Sequence, residues 1–517
     1  MKGKIALALI ALAVGIVATP LAANPNVPHV ADWAISDNMT ALGFSERAVP
    51  LDNNSPDGRD GSFNSDLAFQ DDLVVQGTYA GFRLIDVTKP SRPKEIINWE
   101  ECASATASTG NQGDVIIWDD LVIRSWNSAT PEPVYPPGHP MAGEEIPPSD
   151  PLHFTTPGAF CGDWPMFRTL PPPGDDDESR GQEGVHIIDI SDPKNPDVIA
   201  FVDTPCGSHT ETLVPDLANN RLLVYSNSSA GTVFGGDPTD PTITSCAGID
   251  IIEVPLSNPA DASYVRFEPS GDPSMPPDMH HSCHDTGVFL ADVNLVACSG
   301  ADAAGNGVNV FTTDPAQGGS LEDPRWLYTK ITGGSSLGHS ASFTYDGKVL
   351  IVGHEPGGGS GARCQETSPL IERTFFFIDA KTGTSLGQFA IPRAQTAVEN
   401  CTTHNYNVVP LKNKAGKPRY VMVSGNYQSG ISVIDFSDPA NAREIAYADP
   451  PPLVDPNPPV GIELGGDWST YWHNGRIYES DITRGLTIWR LDDPAVNTNL
   501  RISGPNNPQT QLFTINK

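Results

Sequence analysis

Positive charge is scarce in this sequence. The chain has 31 Lys and Arg residues against 63 Asp and Glu residues, which gives a formal net charge of −32 at pH 7. Such a chain repels a phosphate backbone, and it has no basic stripe along which a nucleic acid would bind. Nucleic acids are therefore excluded as partners.

Long apolar runs are also lacking, apart from one at the start of the chain. Lys2 and Lys4 precede an apolar segment at 5–17, and small residues follow as far as Ala23. This order is typical of a secretory signal peptide, 1–23, whose apolar core is short for a membrane span. We expect a secreted or periplasmic protein that has no integral membrane segment after cleavage.

Familiar catalytic motifs in their usual structural setting are missing as well. The G-x-S-x-G strings at 334–338 and 383–387 are not followed by a helical pattern, and the sequence contains no P-loop and no dinucleotide fingerprint in a β-α-β context. It also has no helical period of useful length, so such motifs would lack their structural setting. These absences argue against the common hydrolase, nucleotide-binding and dehydrogenase classes, and whether the chain is an enzyme stays open.

Cysteine is sparse but even in number. Eight cysteines in an exported chain favour disulfides, although eight allow 105 connectivities. Proximity in sequence favours Cys102–Cys161, Cys206–Cys246, Cys283–Cys298 and Cys364–Cys401. The third pair is the best supported because its members flank one hairpin.

What the sequence has in abundance is a repeated short run. Most copies begin with glycine, continue through five or six β-favouring residues and end at an acidic residue and a turn, as in G-V-H-I-I-D-I-S-D-P at 184–193. The copies lie at 81–90, 184–193, 248–255, 307–315, 374–383, 430–439 and 485–494. After a longer first interval they recur every 55 to 67 residues, enough for one four-stranded propeller blade of about 40 to 50 residues and its loops.

The predicted fold is therefore all-β, a seven-bladed β-propeller with long loop insertions. A second apolar segment before each run supplies the inner strands, and Asp346-Gly347 and Asn474-Gly475 predict hairpin turns. We assign 1–23 to the signal peptide, 24–63 to an N-terminal extension, 64–495 to the propeller and 496–517 to a C-terminal tail. Residues 40–45 are the candidate for a strand that closes the ring on the last blade.

The runs resemble the LVIVD repeat of exported β-propellers. The resemblance extends from about Asp66 to Pro494 and includes the strings C-G-S-H-T at 206–210, G-H-S-A-S-F at 338–343 and E-N-C-T-T-H-N at 399–405. It implies a secreted or periplasmic propeller and carries no settled activity. Glu253, Thr312 and Arg490 depart from the usual repeat.

Candidate site residues emerge when the inner strands are aligned by their hairpins. Equivalent positions on the innermost strands of a propeller converge at one mouth of its channel. Four imidazoles suit copper, zinc or iron, and carboxylates add charge, while Asp285 and Glu211 are candidate partners for the imidazoles. His473 falls in a hairpin turn and is expected at the surface. The corresponding positions hold His209, His284, His339, His404, Asp66, Asp114 and Asp467.

Three functions remain open from the sequence. The first is a binding module that takes a small molecule, glycan or protein at a His-lined channel mouth, with or without a metal. The second is a metal-dependent oxidoreductase of the copper type that acts on a small molecule. The third is a structural envelope or cell-surface module in which polar residues at the strand starts only bond neighbouring blades.

Overall fold

A computed structural model describes most of the chain. The described residues are 27–47, 63–102, 112–127, 132–168, 182–227, 247–272, 274, 283–302, 305–333, 338–453 and 464–515. The predicted signal peptide, 1–23, and Cys246 lie outside them.

Within the described residues, seven sheets each contain four antiparallel strands and form the seven blades. This arrangement confirms the predicted fold. Blade 1 contains Asn64–Gln70, Leu73–Thr78, Gly81–Asp86 and Lys94–Trp99. Blade 2 contains Val115–Trp118, Leu121–Trp126, Gly184–Asp189 and Asp197–Asp203. Blade 3 contains Thr210–Asp216, Arg221–Asn227, Gly248–Pro255 and Ser263–Pro269.

The remaining blades follow the same order from the channel outward. Blade 4 contains Asp285–Phe289, Leu295–Asp302, Gly305–Thr312 and Arg325–Ile331. Blade 5 contains Gly338–Phe343, Val349–His354, Thr374–Asp379 and Ser385–Ala390. Blade 6 contains Tyr406–Val408, Val421–Gly425, Ile431–Asp435 and Arg443–Asp449, with Ala34–Ile35 on its outer edge.

Blade 7 joins the two ends of the propeller. Its inner strands are Asp467–His473, Arg476–Asp481 and Gly485–Leu491, and its outermost strand is Met39–Glu46. Met39–Glu46 pairs antiparallel with Gly485–Leu491 and contains the segment 40–45 that the sequence offered as the closing strand. The ring is thus held shut by main-chain hydrogen bonds.

The repeated run is the third strand of each blade, and its end residues have structural explanations. A Cβ on Gly184 would lie 2.0 Å from the carbonyl oxygen of Val202 on the outer strand, so only glycine fits there. At the other end, the Asp189 carboxylate accepts the backbone N–H of Ser191 at 2.7 Å and closes a turn. In the same way, Asp86 accepts the backbone N–H of Thr88 and Asp435 accepts that of Ser437. The repeat therefore encodes blade geometry.

The C-terminal segment crosses the channel at the end opposite the strand starts. Pro505–Asn506 pairs antiparallel with the innermost strand of blade 1, and Thr510–Gln511 pairs parallel with that of blade 4. Between them, Asn507 accepts the N–H of Ile117 at 2.8 Å and donates to its carbonyl at 2.9 Å. The sequence predicted only a tail here, whereas the structure makes it the floor of the channel.

The other elements are small. A two-stranded hairpin, Ala159–Cys161 and Trp164–Met166, lies in the insertion of blade 2.

The predicted disulfides Cys102–Cys161, Cys283–Cys298 and Cys364–Cys401 are present and confirm three pairs. No helix among the described residues has the length and apolarity to cross a bilayer. Short 3-10 helices lie at Pro28–Val30, Leu217–Asn219, Pro259–Asp261, Pro315–Gln317, Leu370–Arg373 and Pro439–Asn441.

Candidate metal site in the channel

Four histidines stand side by side at the start of the innermost strands of blades 3 to 6. The ring centroids of His209 and His284 are 4.7 Å apart, those of His284 and His339 are 4.3 Å apart, and those of His339 and His404 are 4.3 Å apart. All four side chains are buried. The structure therefore brings together the imidazoles that the alignment of hairpins placed at equivalent positions.

Burial keeps these imidazoles neutral. It lowers the pKa of His209 to about 4 and that of His404 to about 3, although the Trp468 carbonyl partly opposes the second shift. Burial is also the first cause that lowers the pKa of His284 and His339 well below 6.5, and the neighbouring imidazoles add to it. A neutral imidazole has a lone pair on one ring nitrogen, which is the form that ligates metals.

Glu355 joins the imidazoles from the end of the second strand of blade 5. One of its oxygens lies 3.4 Å from His404 Nε2 and the other lies 3.7 Å from His339 Nε2. Burial raises the pKa of Glu355 to about 8, and the hydroxyl of Tyr427, which donates to it, opposes that shift. No local pattern in the sequence brings Glu355 to the channel, so only the structure identifies it as a member of this group.

The nitrogens differ in how they are satisfied. Asn127 Nδ2 donates to His209 Nδ1 at 2.8 Å, and His404 Nδ1 donates to the Trp468 carbonyl at 2.5 Å. His284 Nδ1 and His339 Nδ1 are buried and have no hydrogen-bond partner among the described residues. Ligand atoms of His284, His339 and Glu355 all lie within 4.8 Å of one another, so this trio, with His404 beside it, has donors and spacing that fit one transition-metal ion.

A small polar cavity adjoins the imidazoles. Its lining includes His209, His339 and His404 together with Asp66, Asp114 and Asp285. The cavity has room for about one water molecule. Gln509 of the C-terminal segment also lines the cavity and donates to Asp66 Oδ2 at 3.2 Å.

The carboxylates of the cavity are deeply buried. Asp66 accepts hydrogen bonds from Ser469 and from Tyr471, the latter at 2.7 Å. Asp114 accepts the backbone N–H of Glu211 at 2.5 Å. Burial and then the Asp66 charge raise the pKa of Asp114 and of Asp285 well above 3.8. Asp66 and Asp114 thus line the same cavity as three of the imidazoles, and neither belongs to the group formed by His284, His339 and Glu355.

Blade 7 differs from two sequence-based expectations. Asp467 does not line this cavity, and its carboxylate instead groups with Glu479 and Asp481. The expectation that His473 lies at the surface is wrong, because its ring is 1% exposed and stacks on Phe69 with centroids 4.6 Å apart. The turn at Asn474-Gly475 is packed against the C-terminal segment, and Asn506 Nδ2 donates to His473 Nδ1 at 2.9 Å.

Comparisons with known proteins leave the function open. No family model and no curated protein matches the chain. The β-propeller domain of Myceliophteria thermophila Cps50 (Swd1) is similar at a TM-score of 0.43 and 9% identity, over 83% of this chain and 96% of that one. The Dos1 propeller has a TM-score of 0.40 and 9% identity over 86% and 81%. The computationally designed Ika8 protein has a TM-score of 0.40 and 10% identity over 83% and 96%.

Proposed function

We propose that this protein is an exported ligand-binding β-propeller that holds one transition-metal ion in its channel through His284, His339, His404 and Glu355. The observation that carries the proposal is the set of four contiguous, buried and neutral imidazoles, two of which have an Nδ1 atom without a hydrogen-bond partner among the described residues. Buried polar atoms are nearly always satisfied in native proteins. A metal bound by this cluster would satisfy such an atom.

The donor set indicates the class of metal. Imidazole nitrogen with a single carboxylate suits copper, zinc or iron better than magnesium or calcium, which prefer oxygen. The Trp468 carbonyl fixes the His404 ring by accepting from Nδ1, which leaves Nε2 directed at Glu355. Partners of this kind orient ligating histidines in known metal sites.

The test is a measurement of bound metal on the mature chain, residues 24–517, purified from an oxidising compartment. We expect about one copper, zinc or iron ion per chain by elemental mass spectrometry, and a loss of at least tenfold in His339→Asn. His473→Asn is the matched control, because His473 is equally buried but stacks on Phe69 away from the cluster. A wild-type chain that stays metal-free after incubation with all three metals would return the histidines to a structural role.

The cavity favours a second candidate, a metal-dependent oxidoreductase that acts on a small molecule. Catalytic metal sites keep an open position for water or substrate, and the space beside the imidazoles holds about one water molecule. The copper-loaded protein would then consume oxygen with a small reductant, and Asp114→Asn would slow that reaction while retaining the copper. Oxygen consumption no faster than that of the metal-free protein would leave the binding function alone.

A further inference from the structure

A second group of ligand-type side chains lies inside blade 7, separate from the imidazole cluster. Asp467, Glu479 and Asp481 each offer one oxygen, and these atoms all lie within 4.8 Å of one another. All three residues are at least 99% buried. Two oxygens that bind one calcium ion at about 2.3 to 2.6 Å are at most about 5 Å apart, so the spacing fits a single ion.

Two oxygens of this group receive no hydrogen bond from outside it. Asp467 Oδ1 and Glu479 Oε1 are buried and no donor among the described residues reaches them, while the two carboxyl groups lie within hydrogen-bond reach of each other. Their sister oxygens are satisfied, since Thr470 donates to Asp467 Oδ2 at 2.8 Å and Trp489 Nε1 donates to Glu479 Oε2 at 2.7 Å. An unpartnered carboxylate oxygen in a protein interior is costly, and the pair marks a place where a cation would bind.

The three carboxylates of the group carry more negative charge than the neighbouring arginine neutralises. Asp481 pairs with Arg484 Nη1 at 2.6 Å and accepts the backbone N–H groups of Thr483 and Arg484. That ion pair is the one salt bridge to the group in the described part of the chain. With all three carboxylates ionised, two negative charges remain, which is the charge that one divalent cation neutralises.

We propose that Asp467, Glu479 and Asp481 bind one hard divalent cation of the calcium class. Every donor in the group is an oxygen, and imidazole and sulfur are absent from it, which favours calcium over copper or zinc. The ion would tie the first strand of blade 7 to the second, because Asp467 and Asp481 are directly paired in the sheet. This site is independent of the proposed transition-metal site.

Calcium binding to the full mature chain, first stripped of metal with a chelator, tests the proposal. We expect about one calcium ion per chain by isothermal titration calorimetry at pH 8 and a rise of several degrees in the unfolding midpoint. Glu479→Gln should weaken binding at least tenfold. Asp346→Asn is the matched control, because Asp346 is a buried carboxylate whose oxygens are satisfied by Thr344 and Tyr420.

The opposing explanation is that the two unpartnered oxygens share a proton. In that case calcium neither binds nor shifts the midpoint of the wild-type chain, and this result overturns the proposal without reference to any variant. Asp467→Asn provides a second variant if Glu479→Gln does not fold. Calcium binding should survive in His339→Asn, so failure of the transition-metal proposal and failure of this one give different results.

Discussion

Burial lowers the pKa of individual histidines in this protein below the value that a histidine has in water. His186, on the third strand of blade 2, lies against Phe201 with centroids 4.7 Å apart and against Trp126 at 5.6 Å. Burial, and next the charge of Arg124, lowers the pKa of His186 well below 6.5. A buried histidine in this protein is therefore as readily a packing residue as a ligand.

The first prediction concerns the pH dependence that His186 imposes. The unfolded chain binds a proton at this position near pH 6.5 and the folded chain does not, so the contribution of His186 to stability falls as the pH drops below about 6.5. Replacing it with Leu should remove this contribution. Urea unfolding at pH 7.5 and pH 5 should show a smaller loss of stability on acidification in His186→Leu than in the wild type, and equal losses would contradict the assignment.

The second prediction concerns close contact between blades. A Cβ on Gly287 would lie 2.2 Å from the carbonyl oxygen of Ala341 on blade 5, and main-chain atoms yield little. We expect Gly287→Ala to lower the free energy of unfolding by about 3 kcal/mol or more. Gly138→Ala is the comparison, because its Cβ meets nothing within 4 Å and only its φ of +95° resists alanine, at about 1 kcal/mol. Similar losses in a denaturant titration would argue against the steric explanation.

At the scale of elements, the C-terminal segment connects blades that are far apart in sequence. Thr510 donates to the Leu213 carbonyl of blade 3 at 2.7 Å, and Gln511 donates to the Phe343 carbonyl of blade 5 at 2.6 Å. With the pairings to blades 1 and 4 and the Asn507 bonds to blade 2, one short segment contacts five inner strands. It crosses the channel at the ends of these strands, and its Gln509 reaches the cavity that the histidines line.

The third prediction follows from the two bonds between Asn507 and the main chain of Ile117. Asn507→Ala removes both and leaves a buried N–H and a buried carbonyl without their partner. We expect a loss of about 2 kcal/mol in the free energy of unfolding. Asn441→Ala, which removes an exposed bond to Asp438, should cost far less in the same urea titration. Equal costs would show that water replaces Asn507.

What could be predicted from the sequence depends on how local its cause is. The strands, the turns after Asp86 and Asp189 and the line of four histidines all follow from a repeated pattern whose register is preserved from blade to blade. The floor of the channel depends on contacts between residue 507 and residue 117 that leave no periodic trace. The surroundings of Glu355 and Asp467 depend on which strand ends meet in space. Only the structure therefore shows which residues lie beside them.

At the scale of the molecule, closure of the ring depends on one strand from the N-terminal part of the chain. Met39–Glu46 pairs with Gly485–Leu491 from Met39 opposite Leu491 to Glu46 opposite Gly485, with a bulge between Ala41 and Gly43. Trp33 and Met39 belong to the same apolar cluster as Trp489 and Val433. The N-terminal segment therefore adds both hydrogen bonds and buried apolar area to blades 6 and 7.

The last prediction is that closure stabilises the ring as a whole. Deleting residues 27–46 exposes Gly485–Leu491 as an edge strand, and unpaired edges favour association with other chains. We expect a lower unfolding midpoint and oligomers in size-exclusion chromatography, both reversed by a synthetic peptide of residues 37–47. Because every blade packs on two neighbours, amide exchange should accelerate in blade 3 as well as in blade 7. Faster exchange in blade 7 alone would mean that the blades unfold independently and that closure acts only where the strand pairs.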